Sequence, residues 1–206
     1  MKKIETAIFD MDGTLYQIDR KDTGYKGSTL EREVNTNALQ LIKQKEGSDD
    51  ETAQQLLQLG LEDEVGLSNF LSQRYGISRE EYFNMIWDIP PEKIVQNFEV
   101  AVEVLQKLKE SELILILLTA APMVWQQNVI NYLGLSDLFS EIYTGETFGN
   151  KGEIFEQLAQ RFSPTTTISI GDQLKSDIEP ADALGFLTLL VKSPNDLLAL
   201  LNLFER

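Results

Sequence analysis

Oxygen-bearing side chains recur in this sequence at the points where short apolar runs end. Asp10 follows an apolar run near the N-terminus, and Asp12 comes two residues later. Thr119 follows the longest apolar run of the chain, and a later run leads through a glycine to Asp172 and, five residues on, to Asp177. Runs of this kind predict buried strands, and parallel strands end at a common edge of their sheet. The spacing therefore predicts that these side chains meet.

The chemistry of such a group is that of a phosphate site built around a cation. Carboxylates held within a few ångströms repel one another, and a divalent ion with oxygen ligands relieves the repulsion. Mg²⁺ binds one or two carboxylates together with phosphate oxygens, so it is the expected cofactor. Thr119 and nearby backbone amides are suited to hold further phosphate oxygens. Lys151, at the start of a predicted helix, is suited to neutralise charge on the nucleophile and on the transferred group.

Composition narrows the chemistry further. The 206 residues include 33 acidic and 18 basic side chains, so 33 − 18 gives a net charge of −15, and they include neither Cys nor His. These absences exclude disulfides, thiolate metal sites, histidine-ligated zinc and Ser-His-Asp triads. The nucleophile must then be an oxygen, and a carboxylate is able to form a covalent aspartyl-phosphate.

The strongly negative charge also predicts which partners the protein has. Nucleic acids and anionic lipid surfaces both select positive surfaces, so neither is an expected partner. The start of the chain has two lysines but no long apolar stretch, and the longest apolar run, Leu113 to Leu118, falls far short of the ~20 residues that cross a bilayer. We expect a cytoplasmic monomer or homodimer that acts on a small phosphorylated substrate.

Strand and helix patterns alternate at the start of the chain and again after residue 97. Such alternation is typical of an α/β fold in which a parallel sheet is covered by helices on both faces. Helices are predicted from Pro122 to about Gly134, over 151–161, over 177–184 and over 195–204. The predicted strands are Thr6–Phe9, Leu113–Leu118, 141–143, 165–170 and 186–191.

The stretch from Tyr16 to Asn97 has a different character, rich in Gln, Glu, Asn and Lys with helical patterning. Ser48 with Glu51, and Ser78 with Glu81, have the spacing of capping boxes and predict two helix starts. The expected organisation is therefore a core made of residues 1–15 and 98–206, with an all-helical insert over residues 16–97.

Four segments together resemble the motifs of the haloacid dehalogenase-like hydrolases. The run Phe9–Leu15 (FDMDGTL) matches that family's DxDGT signature, and Thr119 after two leucines is similar to its second motif. Lys151 corresponds to the third motif and the run 171–177 (GDQLKSD) to the fourth, in the same order along the chain. The resemblance spans Thr6 to Gly185. It implies a three-layer, Rossmann-like parallel sheet core with an all-helical cap inserted after the first strand.

The resemblance also implies roles for individual residues. Asp10 is expected to be the nucleophile, and Asp12 to give a proton to the leaving alcohol and then take one from water. Thr119 is expected to hold the phosphate and Lys151 to hold both Asp10 and the phosphoryl oxygens, which makes these four the catalytic set. Phosphate binding is implied for Gly13, Thr119, Ala120 and Lys151, and metal binding for Asp10, Asp12 through its main-chain carbonyl, Asp172, and Asp177 directly or through water.

Three positions depart from the family pattern. Ala120-Ala121 stands where many relatives have Asn, Gly152 where many have Pro, and Gln173 where Ser is frequent. None of the three removes a charged catalytic group. Near the start of the insert, Tyr16, Arg20, Lys21 and Lys26 are either contacts to the substrate or members of a solvated linker.

The expected activity is Mg²⁺-dependent hydrolysis of a phosphate monoester through an aspartyl-phosphate. A nucleoside 5′-monophosphatase and a sugar phosphomutase are alternatives within the family. A dehalogenase is disfavoured because it would not need Asp12 as acid and base. From other classes, a non-enzymatic phosphoacceptor module and an inactive partner-binding protein remain open, although the order of the motifs and the complete residue set argue against them.

Overall fold

A computed structural model describes residues 3–19 and 24–204 of the chain. At its centre is a sheet of five strands, all parallel, in the order β3-β2-β1-β4-β5. The predicted α/β class and parallel Rossmann-like core are confirmed. The strands are β1 (Thr6–Phe9), β2 (Ile114–Leu118), β3 (Glu141–Tyr143), β4 (Thr167–Gly171) and β5 (Leu187–Leu190).

The register of the sheet determines which residues leave it together. Phe9 at the end of β1 lies opposite Leu117 of β2 on one side and Ile170 of β4 on the other. Since all three strands run the same way, Asp10 and the residues after β2 and β4 emerge at one edge of the sheet.

Side-chain alternation along the strands divides the core into two apolar layers. On β1, Ala7 and Phe9 belong to the larger cluster, whereas Ile8 faces the smaller one together with Ile154 and Phe155. Successive residues of a strand point to opposite faces, so a sheet that is apolar on both faces must be covered on both. The result is the expected three-layer arrangement.

Nine helices are present in the ranges that the structure describes, and five of them lie between β1 and β2. No helix in those ranges combines the length and the apolar character that crossing a bilayer requires. The helices are α1 (Thr29–Glu46), α2 (Asp50–Glu62), α3 (Gly66–Tyr75), α4 (Arg79–Ile86), α5 (Glu99–Glu110), α6 (Met123–Leu133), α7 (Lys151–Ala159), α8 (Glu179–Ala183) and α9 (Leu198–Phe204).

One of the two predicted capping boxes is confirmed and the other is wrong. The Ser78 hydroxyl accepts the backbone N–H of Glu81, and the Glu81 carboxylate accepts the backbone N–H of Ser78. At the other site Asp49, not Ser48, is the N-cap: its carboxylate accepts the backbone N–H of Thr52 at 2.9 Å. An ionised oxygen accepts a stronger hydrogen bond than a hydroxyl and also suits the positive end of the helix dipole.

Other element boundaries differ from the predictions by one to three residues, and two predicted helix starts have a different conformation. The helix predicted to start at Asp177 is preceded by a π-helical turn, Leu174–Ile178, and α8 begins only at Glu179. The closing helix predicted from Asn195 starts as a 3₁₀ turn, Pro194–Leu197. Neither turn has ordinary α-helical hydrogen bonding, and hydrophobic periodicity does not reveal such a departure.

Candidate active site

Six side chains were predicted from the sequence to serve catalysis or metal binding. All six lie at the edge of the sheet where β1, β2 and β4 end. Asp10 and Asp12 follow β1, and Thr119 follows β2. The remaining three follow β4 or start helix α7 and form contacts with the first group. The six residues are Asp10, Asp12, Thr119, Lys151, Asp172 and Asp177.

Asp10 is held from two directions and is only 5% exposed. Lys151 Nζ donates to Asp10 Oδ1 at 2.6 Å, and Thr14 Oγ1 donates to Asp10 Oδ2 at 3.0 Å. The turn that returns the Thr14 hydroxyl to Asp10 passes through Gly13, whose φ of 91° favours glycine. The carboxylate is therefore oriented by short-range sequence and by one distant cation.

Lys151 bridges two carboxylates from the first position of α7. Asn150 caps that helix by accepting the backbone N–H of Glu153, so the lysine starts its first turn. Its Nζ lies 2.6 Å from Asp10 Oδ1 and 2.8 Å from Asp177 Oδ1. Burial disfavours the ammonium, but the charges of Asp10 and Asp177 outweigh it and raise the pKa of Lys151. The side chain is thus a permanent cation at the site.

Three carboxylates form a cluster beside this lysine. One oxygen each from Asp10, Asp172 and Asp177 lies within 4.8 Å of the other two. Asp177 is oriented by the backbone N–H of Gln173 at 2.9 Å and the hydroxyl of Ser176 at 3.1 Å. Burial first, and then the charge of Asp10, raises the pKa of Asp177 despite the nearby ammonium.

This donor set fits a hard divalent cation. Three carboxylates against the single ammonium of Lys151 leave formally two negative charges, since 3 − 1 gives 2, in a largely buried place. Burial, and then the charge of Asp10, raises the pKa of Asp177, so this place disfavours its ionised form when no cation is bound. Oxygen ligands with excess negative charge are what Mg²⁺ requires.

Asp12 has a separate environment, and its carboxylate does not belong to the cluster. Trp125 Nε1 donates to its Oδ1 at 3.0 Å, and the Tyr16 hydroxyl donates to the same oxygen. Thr119 Oγ1 lies 3.4 Å from the other oxygen, Oδ2. Burial, followed by the charge of Asp12, raises the pKa of Tyr16 well above its usual value, so the phenol stays a donor.

Tyr16 and Trp125 are site residues that sequence reasoning did not identify. Tyr16 was expected to contact substrate or to lie in a solvated linker, but both rings are fully buried, with 0% exposure. Tyr16 follows Asp12 by only four residues, so its nearness in sequence could have indicated this contact. Trp125 lies 113 residues from Asp12 in sequence, so only the fold reveals this contact.

The loop after β2 packs tightly against the loop after β3. The Thr119 hydroxyl accepts the backbone N–H of Ala121 at 3.1 Å, which fixes the turn through Ala120. A Cβ atom at Gly145 would lie 2.1 Å from the carbonyl oxygen of Ala120, so only glycine permits this approach. The loop that carries the predicted phosphate contacts is held rigidly as a result.

A cavity of about 240 Å³ opens above these residues. Asp10, Asp12 and Gln173 line it on the side of the sheet, and its lining residues in the range 24–87 are called the far end. Of the residues expected at the entrance, Lys26 is exposed and is not part of the cavity lining, and Arg20 and Lys21 lie outside the described residues. The residues of the far end, which sequence reasoning missed, are Gly24, Tyr25, Leu30, Arg79, Phe83 and Trp87.

The missed residues of α4 share a regular spacing. Arg79, Phe83 and Trp87 follow one another at intervals of four, and residues so spaced lie on one face of a helix. The sequence therefore contained a signal for a second, aromatic and cationic face beside the buried face of Tyr82 and Ile86. What it did not contain was the direction in which that face points.

Comparison with known proteins gives a consistent result. A family model described as haloacid dehalogenase-like hydrolase matches residues 4–185. A search of curated proteins finds no match to the chain. Among solved structures, a HAD phosphatase from Thermococcus onnurineus superposes with a TM-score of 0.67 at 18% identity, covering 96% of this chain and 98% of that chain.

Two further structures superpose over nearly as much of the chain. The HAD-hydrolase YfnB from Bacillus subtilis, bound to magnesium, has a TM-score of 0.58 at 20% identity and covers 98% of this chain and 100% of that chain. A dehalogenase in an intermediate complex has a TM-score of 0.53 at 14% identity and covers 93% and 86%. At these identities the likeness establishes a common fold.

Proposed function

This chain belongs to the haloacid dehalogenase-like hydrolases, and from that premise we propose that it hydrolyses phosphate monoesters through an aspartyl-phosphate. The observation that carries the proposal is that two carboxylates follow the same strand and have different hydrogen-bond partners. Asp10 contacts the Lys151 ammonium, whereas Asp12 receives neutral donors from Tyr16 and Trp125. A nucleophile and an acid/base need such different surroundings.

The proposed reaction has two halves. In the first, an Asp10 oxygen attacks phosphorus, the bond from phosphorus to the ester oxygen breaks, and the proton on Asp12 passes to the leaving alcohol. In the second, water attacks the aspartyl-phosphate, Asp12 takes a proton from that water, and phosphate leaves Asp10. Lys151 offsets charge on Asp10 and on the phosphoryl oxygens throughout, and the Thr119 hydroxyl and the Ala120 and Gly13 backbone hold the phosphate.

Mg²⁺ is the cofactor that we propose for the acidic cluster. Asp10 and Asp172 would hold it directly, with the main-chain carbonyl of Asp12, and Asp177 would do so directly or through water. When bound, it would supply positive charge for the phosphoryl oxygens. The separate magnesium-bound structure of YfnB supports this choice of ion.

We also propose that residues 16–97 form a helical cap on a core made of residues 1–15 and 98–206. The backbone N–H of Gln17 donates to the carbonyl of Gln96 at 2.8 Å, and the Asn97 amide donates to the Gln17 side chain at 2.7 Å. These bonds tie the two ends of the inserted stretch together, which supports a boundary at this place.

The need for an acid and a base separates this proposal from a dehalogenase. Displacing an alkoxide requires a proton, whereas displacing a halide does not. Asp12, held by donors from Tyr16, Trp125 and Thr119, supplies a second carboxyl group for such a proton transfer. A phosphoacceptor module would share the covalent step but would keep its acyl phosphate for hours, whereas a hydrolase would lose it within seconds.

The test is release of inorganic phosphate from 4-nitrophenyl phosphate in millimolar Mg²⁺. Asp10→Asn is expected to abolish release, and Asp182→Asn, an exposed aspartate on α8, serves as the control that keeps it. Equal turnover by wild type and Asp10→Asn would overturn the proposal. Chloride release from a 2-chloroalkanoate without phosphate release from any ester would assign the dehalogenase reaction instead.

A further inference from the structure

The far end of the cavity consists largely of flat side chains. Helix α4 contributes Arg79 and Phe83 from one face, Trp87 follows directly after the helix, and Tyr25 lies in the segment before α1. The Tyr25 and Trp87 rings have centroids 5.4 Å apart at an angle of 58°, and the Arg79 guanidinium lies 5.3 Å from the centroid of the Phe83 ring. Four planar groups thus surround one small space.

This face of α4 is held in position by polar contacts elsewhere. The capping box of Ser78 and Glu81 fixes the first turn of the helix next to Arg79. At the other end, the Asn37 amide of α1 donates to the carbonyl of Ile86 at 2.9 Å, beside Trp87. Arg79 and Phe83 are therefore presented by a capped helix rather than by a free loop.

Charge is divided between the two ends of the cavity. The carboxylates of Asp10 and Asp12 line one end, next to the Lys151 ammonium. Among the described residues that line the cavity, Arg79 is the only cation, and it stands at the other end. A phosphoryl group at Asp10 would be served by Lys151 and the metal, so Arg79 is left for a different part of the same substrate.

We propose, on the basis of the phosphatase function above, that the preferred substrates carry a planar unsaturated ring with an oxygen acceptor in the leaving group. Phe83, Trp87 and Tyr25 would contact the faces of that ring, and Arg79 would donate to its oxygen. Aromatic rings favour offset or edge-to-face contact with another ring, and guanidinium donates in a plane, so both features select a flat group.

The first test compares ligands that differ only in the flatness of the ring and cannot react. Wild-type protein in millimolar Mg²⁺ is titrated calorimetrically with 2-phenylethylphosphonate and with 2-cyclohexylethylphosphonate. We expect the phenyl compound to bind roughly 3- to 10-fold more tightly. The cyclohexyl compound is at least as apolar, so equal or tighter binding of that compound would overturn the proposal.

The second test assigns the effect to the named residues. Phe83→Leu keeps an apolar side chain and is expected to remove most of the phenyl preference, whereas Met85→Leu, on the exposed side of α4, is expected to keep it. A carboxylate at the 4-position of the phenyl ring is expected to tighten binding of the phenyl ligand to wild-type protein, since it offers Arg79 an acceptor. Arg79→Gln is expected to abolish that gain in affinity. Lys93→Gln removes the same charge from an exposed position outside the cavity and should retain that gain. An unchanged preference in Phe83→Leu or an unchanged gain in Arg79→Gln would overturn the assignment.

Phosphate release separates failure of this proposal from failure of the enzymatic one. Benzyl phosphate and cyclohexylmethyl phosphate both release a primary alcohol on hydrolysis, so their intrinsic reactivity is matched. Hydrolysis of both at equal kcat/KM, with equal phosphonate binding, would keep the phosphatase and reject the ring site. Selective phosphonate binding without hydrolysis of either ester would keep the ring site and reject the phosphatase.

Discussion

Lys151 Nζ lies 2.6 Å from Asp10 Oδ1, and both residues are only 5% exposed. The two residues are 141 positions apart in sequence, so this ion pair joins the first strand to a helix that begins far along the chain. Asp177 shares the same ammonium at 2.8 Å. One cation therefore compensates two buried carboxylates, and stability and chemistry depend on the same contact.

Replacing the lysine tests that dependence. Lys151→Met would leave Asp10 and Asp177 buried without their cation, and breaking a buried pair in this way costs about 3–5 kcal/mol of the free energy of unfolding. We expect a loss of that size in urea unfolding, together with loss of phosphate release. Lys107→Met breaks an exposed pair with Glu103 and should cost at most about 1 kcal/mol. Equal losses in the two variants would contradict the central position of Lys151.

Mg²⁺ is expected to stabilise the fold, and more so at neutral than at acidic pH. The ion binds the folded protein alone and should raise the free energy of unfolding by about 2.7 kcal/mol at a concentration 100 times its Kd. The raised pKa of Asp177 sets the sign of the pH effect. Below that pKa the carboxyl group holds a proton, which competes with Mg²⁺ for the same oxygens. The Mg²⁺-induced gain in the free energy of unfolding therefore diminishes as pH falls.

Without metal, the same group acts in the opposite direction. A carboxyl whose pKa is raised by folding favours the folded state below its unfolded pKa, and this contribution disappears as pH rises through the folded pKa. Melting temperatures measured at pH 5 and pH 7.5, each with EDTA and with Mg²⁺, separate the two effects. An Mg²⁺-induced shift of equal size at both pH values would contradict the prediction.

The donors on Asp12 predict a dependence on the leaving group. Trp125→Phe removes the indole N–H that lies 3.0 Å from Asp12 Oδ1, and Tyr16→Phe removes the second donor to that oxygen. A less well oriented acid matters most when the leaving alkoxide is strongly basic. We expect kcat to fall about 10-fold or more for an alkyl phosphate and much less for 4-nitrophenyl phosphate. Equal losses for both substrates would indicate a general packing defect.

The sequence predicted the elements of the fold well where local patterns determine them. Apolar runs located the five strands to within one or two residues, and the Ser78–Glu81 spacing located a helix start. Prediction was wrong where two neighbouring residues competed, as Asp49 did with Ser48 for the cap of α2. It was also incomplete in the π-helical turn before α8, since its shape serves the position of Asp177 rather than any apolar period.

Prediction of the site separates along the same line. The motifs predicted that Asp10, Lys151 and Asp172 lie close together, because residues that follow neighbouring parallel strands lie at the same edge of the sheet. Trp125 was not predicted, because its contact with Asp12 depends on how α6 rotates against the sheet. The α4 face at the far end of the cavity was missed for a similar reason: its spacing is visible in the sequence, but the packing of the inserted helices decides where it points.

Gly171, the last residue of β4, offers a way to disturb the acidic cluster without touching a charge. A Cβ atom there would lie 2.4 Å from the Cβ atom of Asp177, so Gly171→Ala must displace that side chain. Overpacking of this kind costs about 1–3 kcal/mol of the free energy of unfolding, and we expect the Mg²⁺-induced rise in melting temperature to diminish as well. Ser169→Ala is the matched control: it removes a 2.8 Å hydrogen bond to the Asp177 carbonyl and costs about 0.5–1.5 kcal/mol, but leaves the carboxylate in place. We expect both variants to be destabilised, but only Gly171→Ala to show a smaller Mg²⁺-induced rise in melting temperature. An undiminished rise in Gly171→Ala would show that the position of Asp177 does not matter for metal binding.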